Sequence, residues 1–284
     1  MGIFSGLEKL GLGNIGKGGD LFEDPKKKEE AVKKEEPKKK LVLVNEEDYL
    51  FDKKYTCPVC EDDFEVKTVR TGKVRIKSVD LDLRPVYDEL DQNKYDVVAC
   101  PHCGYAALGR YFSTLNKYQI EDIRVKVSMN YKKQDYNEPT YSYEYAKSLY
   151  QLALANAVVK KAKNSEKAYI CLKTAWVLRG EVQRMDPSEE GYEEKKAANE
   201  AQEKELLSNA LNGFVMARQS EEFPIAGMDA STLDYLVAAL AVETEQYDIA
   251  SKMISEILAS RVANSRIKDK ARFLKETMAE KKGE

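Results

Sequence analysis

The sequence predicts an α+β fold: a small zinc-ribbon-like, β-rich N-terminal domain followed by an all-α, tetratricopeptide-like helical repeat domain. Two Cys-x-x-Cys pairs lie among short strand-like runs in the first half of the chain. After Pro139 the chain is rich in Ala, Leu, Glu and Lys at helical spacing. Strong breaks divide this part into separate helices at residues 164–165, 185–188, 224–227 and 264–265. We therefore divide the 284 residues into a start and linker (1–40), a four-cysteine domain (41–138) and a helical domain (139–284).

The composition limits the function before any motif is considered. Lys+Arg 46 against Asp+Glu 49 leave a net charge of −3, which disfavours a protein whose main task is to bind nucleic acid. The single histidine, His102, disfavours catalytic triads and His-rich metal centres. The sequence has no run of 18 apolar residues and no secretory signal, so we expect no membrane span and a cytoplasmic location.

The first 40 residues are not expected to fold alone. Residues 1–23 contain seven glycines among apolar side chains, which predicts either a docking peptide that orders on a partner or on this protein, or a frayed tail. Residues 25–40 read PKKKEEAVKKEEPKKK, without an aromatic side chain, and are expected to form a solvated linker.

Short strands are predicted around the cysteines. The apolar run 41–44 is strand-like, and Val74, Ile76 and Val79 indicate a half-buried strand. Residues 95–99 form another strand-like segment that leads directly into the second cysteine pair. The β-rich character of this domain depends on these segments.

The four paired cysteines predict a metal site. Cys57-Pro-Val-Cys60 and Cys100-Pro-His-Cys103 each form a tight turn that points two thiolates to one side, and two such turns complete a tetrahedron of sulfur around Zn²⁺. Four thiolates leave no open position for water or substrate, so the predicted zinc is structural. An iron centre of rubredoxin type would use the same four sulfurs. His102 is expected to lie outside the coordination sphere.

Two other interpretations of the cysteines stay open at this point. A strand followed by CPHC and the plausible helix GYAALGRYF is also typical of a thioredoxin-like redox site. The presence of two pairs, with no convincing helix before the second, favours the metal site. The remaining possibility is that the four cysteines are free thiols arranged by chance. The fifth cysteine, Cys171, is expected in the helical core.

An RNA-associated zinc ribbon is a further alternative. Between Cys57 and Cys103 there are seven basic and ten acidic residues, and 7 − 10 = −3, so phosphate would be repelled overall. Residues 67–77 are the candidate for a local basic stripe. Nucleic acid is therefore a disfavoured partner.

The helical half repeats a small-large-small pattern that is typical of tetratricopeptide-like helix pairs, with a generic antiparallel bundle as the alternative. The pattern occurs at Ala168/Leu172/Ala175, Ala210/Phe214/Ala217 and, less well, Ala250/Ile254/Ile257. Four apolar residues of the helical half are predicted to be core residues: Trp176, Leu178, Phe214 and Leu236. A helix is also predicted to restart at Asp186, with Pro187 at its first position and Glu189 completing a capping box.

Two sets of residues are candidates for contacts outside a single helix. A concave binding face would use polar or aromatic first-helix residues: Tyr145, Asn156, Asn199 and Tyr235. A tyrosine cluster at the domain junction is expected to form an interdomain seam, with a partner-binding patch as the alternative: Tyr131, Tyr136, Tyr141, Tyr143, Tyr145 and Tyr150.

These segments together resemble a known family. The CPVC pair, KVRIKSVDLDLRPVYDELD, YDVVACPHCGYAA and LDYLVAALAVETEQYDIASKMISEIL are similar to a bacterial family known only as domain-of-unknown-function family 2225, over about residues 45–280. The resemblance implies a cytoplasmic bacterial protein with a four-cysteine metal-binding head and a tetratricopeptide-like body. It implies no activity.

The sequence therefore predicts a zinc-binding protein that is non-enzymatic and that acts as a scaffold or adaptor for an unknown protein or peptide. No nucleophile, base and orienting group can be assembled from its residues, which disfavours a hydrolase or transferase. The alternatives are an RNA-associated zinc-ribbon protein and a thiol redox protein that uses the CPHC pair.

Overall fold

The structure is a computed structural model that describes Gly11 and residues 45–133 and 136–283. The strand-like run at 41–44, the linker and, apart from Gly11, the glycine-rich start lie outside the described residues. Gly11 has φ +77°, and its backbone lies against the carbonyl of Asn130. A side chain at this position would meet that carbonyl, so only glycine fits the contact.

Six short strands in the described residues form three antiparallel hairpins. The strands are β1 (Leu50–Thr56), β2 (Asp63–Val69), β3 (Ile76–Val79), β4 (Pro85–Tyr87), β5 (Val97–Ala99) and β6 (Ala106–Leu108). β1 pairs with β2, β3 with β4 and β5 with β6. The two cysteine pairs form the turns of the first and third hairpins, since the pairing ends at Thr56↔Asp63 and at Ala99↔Ala106.

Seven α-helices follow in the described part of the chain, so the predicted α+β class is confirmed. They are α1 (Lys117–Ile123), α2 (Tyr143–Val159), α3 (Asn164–Arg184), α4 (Tyr192–Ser220), α5 (Ala230–Glu243), α6 (Tyr247–Ala259) and α7 (Ser265–Lys282). A π-helical turn, 124–128, continues α1, and short 3₁₀ helices at 46–49 and 92–95 precede β1 and β5. From α2 onward each helix packs against the next, and β5 and β6 pack against α2.

The predicted strand around Ile76 is present as β3, but it is exposed and not half-buried. Ile76 is 58% exposed and Val79 48% exposed. The segment that follows is buried in its place, since Asp82, Arg84 and Leu90 are almost fully buried. We call residues 78–91 the acidic insert.

The predicted helix breaks are present, but the helix predicted to restart at Asp186 begins later. α3 begins at Asn164, and α7 follows its N-cap, Asn264. The helix predicted to restart at Asp186 begins only at Tyr192. The carboxylate of Asp186 instead accepts hydrogen bonds from the amide and hydroxyl of Ser188, at 2.9 and 2.7 Å, and so closes a local turn.

The repeat pattern identifies core positions. All nine of its residues are buried, as are Trp176, Leu178, Phe214 and Leu236. The pattern falls on α3, α4 and α6, and α4 follows α3 with no helix between them. It therefore does not recur on every second helix, as it would in a regular array of helix pairs.

Three of the four residues predicted to line a concave binding face are inside the protein. Asn156 is fully buried, and Asn199 and Tyr235 are 5% and 1% exposed. Asn199 donates to the carboxylate of Glu181 at 2.9 Å. Tyr145 is half-buried and stacks on Tyr136. The prediction was wrong for Asn156, Asn199 and Tyr235, because the fold buries them and the two asparagine amides donate to groups within the fold.

The tyrosine cluster forms the predicted seam between the strands and the helices. Tyr143 donates to the carboxylate of Asp91 at 3.1 Å, and Tyr150, which is fully buried, donates to the carbonyl of Asn93 at 2.8 Å. The backbone N–H of Tyr141 donates to the hydroxyl of Tyr95. These hydrogen bonds join the four-cysteine part directly to the start of the helical part.

The acidic insert strengthens the same seam. The Asp82 carboxylate, 1% exposed, accepts from the indole N–H of Trp176 at 2.9 Å and pairs with the guanidinium of Arg179 at 2.9 Å. Gly180 leaves the space that Asp91 occupies, because a Cβ there would lie well under 3.0 Å from the Asp91 carboxylate. The acidic insert therefore packs closely against helix α3 at Gly180, where there is no side chain.

Candidate metal centre

The structure brings the four paired cysteines together. The sulfur atoms of Cys57 and Cys103 are 3.6 Å apart, as are those of Cys60 and Cys100, and all four lie within 4.8 Å of one another. A disulfide requires about 2.05 Å, and all four thiols are free. Four sulfurs at about 2.3 Å from a central Zn²⁺ are about 3.8 Å apart. The sulfur spacing therefore fits a tetrahedral metal ion.

The two cysteine turns have the same backbone structure. The N–H of Glu61 donates to the carbonyl of Cys57 at 2.9 Å, and the N–H of Gly104 donates to the carbonyl of Cys100 at 3.0 Å. Both Glu61 and Gly104 are left-handed, with φ 66° and 73°. Gly104 adopts this conformation without steric cost, whereas Glu61 adopts it with a side chain. A Cβ at Gly104 would also collide with the ring of Tyr131.

Side chains from later in the chain hold both turns in place. The guanidinium of Arg124 donates twice to the carbonyl of Val59, at 3.0 and 2.7 Å. The amide of Asn156, on α2, donates to the carbonyl of Gly104 at 3.0 Å. The first turn is thus bound from within the four-cysteine part, and the second is bound from the helical part. Sequence reasoning missed both contacts, because they join residues 65 and 52 positions apart.

The cluster is closed to solvent. Cys57, Cys100 and Cys103 are 1%, 0% and 6% exposed, and Cys60 is half-buried. Hydrogen bonds from Cys100 and Cys103 lower the pKa of the Cys57 thiol, whereas burial raises the pKa of Cys60. These opposite pKa shifts favour ionisation of Cys57 over Cys60, and a cation at the centre would allow all four thiols to ionise.

The other residues singled out in the sequence lie elsewhere. His102 is exposed and is not one of the residues grouped as possible ligands. Cys171 is fully buried in α3, and burial raises the pKa of its thiol to about 12. In the candidate basic stripe, Lys67 and Lys77 each pair with an aspartate.

The helix that a thioredoxin-like site requires after CPHC is absent from this part of the described chain. Residues 106–108 of the predicted helix GYAALGRYF form β6, antiparallel to β5. The pairing of these two strands overrides the helical propensity of the alanines. The sulfurs that approach to 3.6 Å, Cys57 with Cys103 and Cys60 with Cys100, belong to different turns.

The chemistry of the four thiol ligands indicates which metal ions they would bind. Four clustered thiols, mostly shielded from water, suit a soft or borderline cation such as Zn²⁺, and the same sulfurs would hold iron. When bound, the ion would fill its coordination with protein ligands and would fix the two turns to each other.

A family model matches residues 50–278 and is described as an uncharacterized protein conserved in bacteria (DUF2225). The chain belongs to this family. The match runs from the start of β1 into α7, so it includes all four clustered cysteines and the helices. Comparisons with curated proteins and with solved structures found no match. None of the helices in the described residues combines the length and apolar character needed to cross a bilayer.

Proposed function

We propose that this protein is a non-enzymatic scaffold or adaptor of the bacterial cytoplasm, built around a structural Zn²⁺ held by Cys57, Cys60, Cys100 and Cys103. The observation that supports the proposal most is the position of the sulfur cluster. It lies in two turns, one of which is bound by Arg124 from the segment after α1 and the other by Asn156 from α2. The metal would therefore stabilise the junction between the strands and the helices as well as the strands themselves.

A structural role follows from the ligand set. A catalytic zinc keeps a position for water or substrate, whereas four thiolates close the coordination sphere. Within the described residues, the one imidazole is the exposed His102, which leaves no buried imidazole to serve as a base near the cluster. The four-cysteine site therefore suits a structural role, and any binding of a partner must use another surface of the protein.

The helical part is the proposed binding surface. We propose that α2/α3 and α5/α6 are tetratricopeptide-like helix pairs, since the two helices of each pair pack against each other and the small-large-small positions on α3 and α6 are buried. A stack of this kind has no chemistry of its own and presents side chains to a protein or peptide partner.

The first test is the metal content per chain of untagged protein, measured by inductively coupled plasma mass spectrometry. Thiols are counted in parallel, in denaturant with chelator. We expect one zinc and all five cysteines titratable. Absence of metal together with fewer than five thiols would refute the structural zinc and would favour redox chemistry at the cysteine pairs.

Single substitutions locate the site. Cys103→Ser is expected to lose the metal, whereas Cys171→Ser, which removes a buried thiol far along the chain, is the matched control and should retain it. Chelation should also change the near-ultraviolet circular dichroism and the emission of Trp176, because Trp176 is bonded to the acidic insert between the two pairs. Metal loss without either spectral change would contradict the structural role.

A further inference from the structure

A cleft away from the sulfur cluster opens along the seam between the strands and helix α3. Its volume is about 390 Å³, which lies within the range of small-ligand sites, about 300–1,000 Å³. β1, the end of β6 and α3 all contribute to its walls. The polar and aromatic lining includes Lys53, Tyr55, Asp96, Arg110, Tyr169 and Lys173.

The cleft is positively charged although the protein is acidic overall. Three cations, Lys53, Arg110 and Lys173, face one carboxylate, Asp96, which leaves +2 in the lining. Lys173 pairs with Asp96, so this carboxylate is already engaged. The excess positive charge therefore rests on Lys53 and Arg110.

Those two cations contact only neutral groups among the described residues. Arg110 donates to the carbonyl of Ala226 and lies over the ring of Tyr169, at 5.5 Å from its centre. The ammonium of Lys53 lies 4.9 Å from the centre of the Tyr55 ring. Neither has a carboxylate within salt-bridge distance in the part of the chain that is described. An anion entering the cleft would be the first charged partner of both.

The aromatic walls add a second kind of contact. Tyr55 and Tyr169 stand on opposite elements, β1 and α3, and both line the cleft. A planar ring can stack on a tyrosine ring in place of the cation that now lies over it, and that cation can bind phosphate oxygens by charge-assisted hydrogen bonds. Both features occur in one cavity of small-ligand size.

We infer that this cleft binds a small ligand that carries a phosphate and a planar ring, of the nucleoside monophosphate class. Arg110 and Lys53 bind the phosphate, and the tyrosines contact the ring. The site shares no residue with the sulfur cluster, so it adds a small-molecule ligand to the proposed scaffold without depending on the identity of the metal.

The test is isothermal titration calorimetry of the full, metal-loaded chain with AMP, inorganic phosphate and adenosine. We expect AMP to bind at least tenfold more tightly than either fragment, because only AMP satisfies both the cations and the rings. Trp176 supplies a second readout, since the ammonium of Lys173 lies 5.1 Å from the centre of its ring. Its emission should change with AMP at the concentrations that calorimetry gives.

Neighbouring lysines provide a matched pair of variants. Lys53→Ala should weaken AMP binding about tenfold, as expected for a charge-assisted hydrogen bond. Lys54→Ala is the control, because adjacent side chains on a strand point to opposite faces and Lys54 faces Glu65 at 3.9 Å. Lys54→Ala should leave AMP binding within twofold. Arg110→Gln should weaken it at least as much as Lys53→Ala.

Three results would overturn the inference. The first is no heat and no change in Trp176 emission with millimolar AMP or phosphate. The second is equal weakening by Lys53→Ala and Lys54→Ala, which would mean nonspecific attraction. The third is tighter binding of a single-stranded oligoribonucleotide that AMP does not displace, which would identify a nucleic-acid surface in place of a small-ligand site.

Discussion

Replacing Gly180 with alanine is expected to destabilise the protein, although Gly180 lies inside helix α3, where alanine is normally the better residue. The added Cβ would lie well under 3.0 Å from the carboxylate of Asp91 and 3.2 Å from the guanidinium of Arg84. Both groups are almost fully buried and have little space to move. The substitution therefore forces the acidic insert away from the helix.

The size of the effect follows from three contributions. Alanine gains about 1 kcal/mol in helix propensity. Overpacking a filled site costs about 1–3 kcal/mol. Displacing Asp91 also breaks the hydrogen bond from Tyr143, 3.1 Å long, and a bond to a carboxylate contributes about 1.5–3 kcal/mol. The net expectation is a loss of about 3 kcal/mol in the free energy of unfolding.

Urea unfolding followed by far-ultraviolet circular dichroism measures this loss, at a fixed metal content. The control is the same substitution in an Asp91→Ala background, where the clashing oxygens are gone and alanine at 180 should be neutral or stabilising. The two single variants and the double variant form a cycle that isolates the contact. The reasoning is refuted if Gly180→Ala is as stable as the natural chain, or if it causes the same loss in both backgrounds.

Three further predictions concern single groups. Trp176→Phe removes the indole N–H from the buried carboxylate of Asp82 and should lower the free energy of unfolding by about 1–3 kcal/mol in urea titrations; an unchanged midpoint would contradict this. Burial alone would raise the pKa of Glu181, but hydrogen bonds from neighbouring lysines, Lys147 first, hold this pKa below its usual value. The carboxylate therefore stabilises the fold above the unfolded pKa of about 4.3, and this stabilisation is lost as the pH falls through the folded pKa. Glu181→Gln should therefore be less stable than the natural chain at pH 7, with a difference that shrinks in acid; a constant difference across pH would exclude this cause. Gly11→Ala should raise amide hydrogen exchange at residues 130–132 with little change in melting temperature, and unchanged exchange would show that the contact is dispensable.

The local parts of the fold could be predicted from the sequence because their causes are local. The spacing of each cysteine pair dictates a turn, and Gly104 supplies the left-handed residue that ends one of them. Asn264 caps α7 through its side chain, which accepts from the N–H of Ile267. Short-range rules fail where two local choices compete, as at Asp186, whose carboxylate closes a turn with Ser188 in place of capping a helix.

The contacts between the two parts of the chain could not be predicted, because no local pattern encodes them. Asn156 binds Gly104 from 52 positions away, and Trp176 binds Asp82 from 94 positions away. For the same reason the alanines around residue 106 indicated a helix, although pairing with β5 makes them a strand. A polar residue such as Asn156 gives no sign in the sequence of whether it faces a partner or a backbone carbonyl inside the fold.

The seam also sets the order in which the protein can be completed during synthesis. Asp82 leaves the ribosome 94 residues before Trp176, which at about 5–20 residues per second is a delay of about 5–20 s. Throughout that interval the acidic insert lacks its partners on α3, and the cysteine turns lack the support of Asn156. The four-cysteine part is therefore unfinished until the middle of the chain has emerged. A chain cut between residues 138 and 139 would leave it in that state permanently.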